Sequence, residues 1–318
     1  MKKLIKAINL FYFFLKFKSY RIAHFLAKDS FPLERVQEIS VKEGKIVINK
    51  TGQAFAIEQI APCRFSFDLL LDIAQHDKVK IDNTGKEVYI TWEQVKIRAN
   101  SFENYYVASE LFIEGLYSLH YNKNLVVCDV GMNVGVASLY FANMGNVQKV
   151  YSFEPFKETY DAAVDNFKLN PAISHKIVPY NLGAGGSTSE LVIPISNVDS
   201  ATKSTTDFFL ERIDTDTAHT ITVQIRDIRE VVQEIFSKHP AEELFLKLDC
   251  EGAEYEILEK LHESGLLAKI KVIIIEWHFK GYQSLEKLLS ANGFSSVVFP
   301  RPTKAISDMG MIYAFKMQ

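Results

Sequence analysis

This 318-residue chain has little of what would place it in several large function classes. It has only three cysteines, Cys63, Cys128 and Cys250, in no metal-ligand spacing. Two of them sit in apolar strand contexts, and all read as small buried hydrophobes of a reducing, cytoplasmic compartment. It lacks a basic surplus: 36 Lys and Arg against 39 Asp and Glu leave a net charge of −3, which argues against a nucleic-acid partner. No N/D-P-P-Y element appears, and no closely spaced G-x-G-x-x-G that would admit a pyrophosphate. At the N-terminus the uninterrupted apolar stretch covers only residues 10–15, far below the roughly 20 needed to span a bilayer. Cations, and not a small-residue cleavage site, follow it. What is abundant is core material, with 47% hydrophobic residues, 23 Phe and 14 Tyr. The length suits two domains, or one with a large extension.

The most informative stretch is Asp129-Val-Gly131-Met-Asn133-Val-Gly135, at the end of the apolar run Leu125-Val-Val-Cys-Asp-Val130. A strand runs into a glycine turn and then into an apolar helical pattern, a nucleotide-binding arrangement. One strand later, Lys149-Val-Tyr-Ser-Phe-Glu154 ends in an acid placed to accept both hydroxyls of a ribose. Asp129 beside the turn suits a ligand with a positive amino group and no phosphate, since carboxylate and pyrophosphate repel. S-adenosylmethionine has these properties. Gly131 and Gly135 are then expected to admit its methionine part, with Asn133 hydrogen-bonding nearby.

From residue 125 onward, strands and helices alternate, the pattern of a doubly wound α/β sheet. Strands are expected at 125–130, 149–154, 176–182, 243–249 and 272–276, with a terminal pair at 296–299 and 311–315. Residues 196–218 form a long polar insertion, either mobile or functional. Upstream, residues 29–104 read as a small β-rich domain. Within it, residues 45–57 recur as 78–90, each as two alternating runs around a glycine turn, a hairpin signal. Residues 105–120 read as a helical connector.

In order and spacing, the DVGMNVG turn, the SFEP strand end, Leu246-Lys-Leu-Asp-Cys-Glu-Gly-Ala-Glu254 and Ile273-Ile-Ile-Glu-Trp-His278 resemble the FkbM-type methyltransferases. The likeness covers residue 125 to the C-terminus and is most specific in the KxDxEGxE element. It implies a Rossmann-like class I methyltransferase sheet, a catalytic domain over 105–318, and S-adenosylmethionine as cofactor. It also implies O-methylation of a glycan or glycolipid hydroxyl. Asn181 and Leu182 fall where such a fold usually holds the adenine edge, and Phe156 is a further candidate for that pocket. One departure is Gln224-Ile-Arg226-Asp227, where the family more often has Thr-Leu-Asp.

A sugar hydroxyl is a poor nucleophile near neutral pH, so a general base is expected. Candidates are His278, Asp249 and Glu251, with Glu254 nearby; the acids also suit a structural role at a helix N-terminus. Lys247, inside its strand, would need an acid partner if buried. Asp249, Glu251, Glu276 and His278 have the donor chemistry for magnesium or manganese, but no tight ligand spacing, so no metal is expected. Other functional readings are methylation of a small hydroxylated metabolite, or a non-catalytic cofactor-binding scaffold.

Residues 1–28 read as a basic amphipathic helix, with Leu4, Ala7, Ile8, Phe11 and Leu15 on one face and Lys3, Lys6 and Lys16 on its flanks. Such a helix lies in a membrane interface, here the inner face of the membrane, or packs on the body or a second subunit. The sequence supports both readings equally.

Overall fold

The computed structural model describes residues 2–61, 67–195, 219–302 and 308–316. Cys63 and the polar insertion at 196–218 lie outside the described residues. The chain forms two compact units, Met1–Ser118 and Leu119–Gln318.

The first unit begins with two helices, Lys2–Phe17 and Tyr20–Asp29, where the sequence suggests one. Lys18 adopts a left-handed backbone, and the Ser19 hydroxyl accepts from the Ile22 amide to cap the second helix. Two three-stranded antiparallel sheets follow. The first joins β1 (Ile39–Lys42), β2 (Lys45–Ile48) and β3 (Ala54–Phe55); the second joins β4 (Val79–Asp82), β5 (Tyr89–Trp92) and β6 (Val95–Arg98). The two related segments supply the hairpins β2–β3 and β4–β5, one to each sheet. The connector is helical over Phe102–Ala108 and continues as a π-turn, Ser109–Ile113. Phe112 stacks on Trp92 with ring centroids 5.2 Å apart. This segment therefore belongs to the first unit, and the boundary falls at Ser118, later than residue 104.

The second unit is built on seven strands: β7 (Leu125–Val130), β8 (Val147–Phe153), β9 (Ile177–Tyr180), β13 (Glu243–Leu248), β14 (Val272–His278), β15 (Ser295–Pro300) and β16 (Met309–Phe315). Their order is β15-β16-β14-β13-β7-β8-β9. Five are mutually parallel, while β16 runs antiparallel to β14 and β15 antiparallel to β16. This is a doubly wound, Rossmann-like sheet with an antiparallel terminal pair. The central strands are buried on both faces, with every residue of β7 and β14 buried, which is why they read as largely apolar runs. A smaller sheet, β10 (Gly183–Gly185), β11 (Ser189–Ile195) and β12 (His219–Asp227), has the order β10-β12-β11.

Strand order reverses between β7 and β13. The chain leaves β7 toward β8 and β9, then returns to lay β13 on the other side. At such a switch point the loops after the two strands diverge and open a crevice at their carboxyl ends.

Candidate active site

Two turns meet at that crevice: residues 129–135 after β7, and residues 249–252 after β13. The Gly131 and Met132 amides both donate to the Phe153 carbonyl, 3.1 and 3.0 Å away. Gly131 has a φ of +80°, and a Cβ there would stand 1.8 Å from the Asp249 carbonyl oxygen. Only glycine lets the two turns approach this closely. Gly135, at +81°, starts helix Val136–Asn143. Its missing side chain makes room for the Phe167 ring, which a Cβ would meet at 2.5 Å.

Between the turns and β10 lies a pocket, at the carboxyl ends of the strands where open α/β sheets hold ligands. Gly131, Asn133, Glu154, Phe156, Asp249 and Glu251 line it, along with Thr159, Gly183, Ala184, Cys250 and Ile225. The charged groups among its lining residues are three carboxyls, with no cation. Such a wall suits a cationic ligand and repels a pyrophosphate.

Glu154 sits at one end of the cavity, 5% exposed. Its Oε2 accepts from the Asn133 amide at 3.1 Å and its Oε1 from the Phe156 amide at 3.0 Å. Burial outweighs these two donors and pushes the carboxyl up to about 7. Asn133 has a left-handed backbone, and its Oδ1 is buried without a hydrogen-bond partner. A buried acceptor of this kind needs a donor, which a ligand seated beside Asn133 would supply. An orphaned acceptor, a close-approach glycine and lining charges that are all carboxyls together fit S-adenosylmethionine.

Four residues expected to touch the cofactor are placed elsewhere. Asp129 is fully buried and faces Lys247, whose Nζ lies 3.1 Å from its Oδ1. The Ser138 hydroxyl donates to its Oδ2 at 2.6 Å. Asp129 therefore braces the turn from beneath and does not line the cavity. Gly135 serves helix packing. The Asn181 side chain turns back to donate to the Glu154 and Pro155 carbonyls, and Leu182 packs on the hydrophobic core. Their successors Gly183 and Ala184 form the wall instead, because the chain bends into β10 there.

On the other side, β14 carries Glu276 and His278 two residues apart, 8% and 3% exposed. Fully buried Glu254 organises this corner. It accepts from the Cys250 amide at 3.1 Å and the Gly252 amide at 2.8 Å, and stands 2.9 Å from His278 Nδ1. His278 Nε2 lies 3.8 Å from Glu251 Oε2. Burial alone would lower the imidazole, but Glu254, with Glu251 and Glu276, overcomes it and holds the ring charged well above its ordinary range. These acids bias His278 toward its charged form, and the ring stands behind Glu251, outside the cavity lining. Burial likewise pushes Glu251 up to about 7, opposed by the His278 charge.

Asp249, Glu276 and His278 also bring potential ligand atoms within 4.8 Å of one another. The sequence has no tight ligand spacing here; strand adjacency supplies the proximity. The donor set would suit a hard divalent ion once the imidazole had lost its proton.

Two further partners were not assigned from sequence. Asp129 is the acid that Lys247 requires, and Glu254 is the anchor of His278. Register marks the first: Lys247 and Asp129 are partners across β13 and β7. The unusual segment 224–227 is also explained. Arg226 pairs with Glu234 at 2.7 Å, Asp227 accepts from the Arg229 amide to cap helix Ile228–Lys238, and Ile225 lines the cavity.

The pattern of the methyltransferase FkbM domain matches residues 129–296, more than half of the chain. A methyltransferase from Sordaria araneosa, sdnD, is 27% identical over 61% of this chain and 83% of its own length. Among solved structures, the methyltransferase FkbM from Methylobacillus flagellatus is similar at 16% identity and a TM-score of 0.42. That match covers 67% of this chain and 50% of the other, so this chain spans half the length of that protein. The magnesium protoporphyrin IX methyltransferase from Synechocystis, solved with bound SAM, aligns over 67% of this chain and 77% of its own, at 15% identity and a TM-score of 0.36.

Proposed function

Because this chain belongs to the FkbM methyltransferase family, whose methyl donor is S-adenosyl-L-methionine, we propose that it is an O-methyltransferase acting on a hydroxyl of a glycan or glycolipid precursor. The observation that carries the reading is the place of the Glu251 carboxyl, on the cavity wall with His278 Nε2 3.8 Å behind it, where burial pushes it up to about 7. Oxygen methylation needs a proton acceptor at the moment of attack, and a base near the working pH is best matched to that task.

When bound, the cofactor supplies a methyl group on positively charged sulfur, which leaves neutral. Glu154 would hold the ribose hydroxyls, and the Asn133 Oδ1 would accept from the ligand's ammonium. Phe156 and Ile225 contribute apolar wall to the cavity. Glu251 receives the acceptor's proton as the new C–O bond forms. His278, fixed by Glu254, favours the ionised form of Glu251 and so keeps it ready. Asp249, beside Glu251, is the second candidate for the proton. The sugar class follows from the family resemblance, whose members often modify sugar hydroxyls.

The test is incubation with methyl-labelled cofactor and three acceptor pools, cell-wall, capsular and lipid-linked glycans, followed by product mass analysis. Label on a sugar oxygen is the expected result. Label found only on small metabolites would move the substrate class; label on nitrogen or carbon would remove the O-methyl assignment.

A further inference from the structure

Helix Lys2–Phe17 has two apolar faces, and only one of them is used for packing. Phe13 is fully buried, its ring 6.5 Å from Phe31, with Leu10 and Phe17 half-buried on the same side. At about 100° per residue, the opposite half of the circumference carries Leu4, Ile8, Phe11, Phe14 and Leu15. All five are exposed, Leu4 at 66% and Phe11 at 64%. Isolated apolar side chains on a surface are ordinary, whereas a contiguous face of them marks an interaction site.

The charges around this face are of one sign. Lys3 borders it on one edge and Lys16 on the other, both exposed. No acid occurs before Asp29. Among the nearby cations Arg21 is engaged, pairing with Glu58; Lys3, Lys6, Lys16 and Lys18 are exposed. A second copy of the helix laid on this face would bring like charges together along both edges, which disfavours that partner. An anionic surface complements them.

We propose that this face is a docking site for an anionic lipid bilayer, with the helix lying in the interfacial plane. Phe11 and its neighbours enter the boundary between headgroups and acyl chains, and the lysines stay at headgroup level. The helix has 16 residues, short of a span, and among the described residues no helix is long and apolar enough to cross a membrane. The inference is independent of the acceptor's identity.

The experiment is co-sedimentation of the full-length protein with vesicles of phosphatidylcholine, with and without phosphatidylglycerol. Wild type should partition onto the anionic vesicles and detach at high salt. The Ile8→Glu/Phe11→Glu double variant should lose at least tenfold in partitioning, with its circular dichroism and cofactor calorimetry unchanged. In a Phe11→Trp variant, otherwise wild type, emission should shift to the blue on anionic vesicles, which covers the case of a double variant that fails to fold. Equal sedimentation of wild type and a folded double variant would overturn the proposal, as would unshifted Trp emission. So would a lipid-free dimer that the double substitution dissociates, in a protein that ignores vesicles.

Discussion

Lys247 and Asp129 face each other in register across β13 and β7, their charged atoms 3.1 Å apart and both side chains closed to solvent. The same ammonium donates to the Gly131 carbonyl at 2.5 Å, so one buried pair ties the two central strands to the turn that shapes the cavity. Burial alone would lower the lysine, but Asp129 and Asp249 hold it above its ordinary range.

Removing one partner leaves a buried charge uncompensated. Lys247→Met should therefore lower stability by roughly 3–5 kcal/mol in urea unfolding. Asp129→Asn/Lys247→Met, which removes both fully buried charges and leaves only the partly exposed Asp249, should lose clearly less than the single variant. Equal losses would mean that Asp129 has another source of compensation.

Glu154→Ala should weaken S-adenosylmethionine binding by roughly 1–3 kcal/mol in calorimetry, the value of charged hydrogen bonds lost. The same carboxyl makes the unliganded fold sensitive to pH. Its folded pKa, about 7, lies above the ordinary 4.5. Its stabilising contribution is therefore fully present below about 4.5 and lost as pH rises through about 7, up to about 3 kcal/mol. Glu251 acts in the same window and the same direction. Glu154→Gln should thus show a smaller stability loss than wild type between pH 5 and pH 8, measured by thermal unfolding without cofactor.

Glu251→Gln should cut turnover by around a hundredfold or more while leaving cofactor affinity nearly unchanged. In the wild type the rate should rise with pH through about 7 as Glu251 ionises. His278→Asn removes the cation that lowers Glu251, so this rising limb should move to higher pH. A limb that stays in place would detach His278 from the base.

Gly131→Ala places a Cβ against backbone, the Asp249 carbonyl, at a positive φ. It should cost at least about 2 kcal/mol of stability and lower cofactor affinity. Gly145→Ala, where a Cβ meets nothing within 4 Å, is the control and should be close to neutral.

Sequence alone determined the second unit's architecture, because strands buried on both faces read as near-continuous apolar runs and helices packed on one face must repeat near every third or fourth residue. It also located both cavity turns, since Gly131 and the Glu251-Gly252 pair occupy backbone conformations that few residues tolerate. It placed Glu154 at its strand end, where open sheets hold ligands. Tertiary structure alone decided what each polar group does there. Asp129 and Glu154 both end apolar strands, yet one neutralises a buried lysine and the other lines a cavity. The difference comes from cross-strand register, a relation between residues far apart in the chain. His278 reads as a base by its intrinsic titration, but Glu254, 24 residues earlier, anchors its Nδ1 and biases the ring toward its charged form. The helix Lys2–Phe17 presents apolar residues on both sides, and only packing decided which side Phe13 would bury and which would stay open.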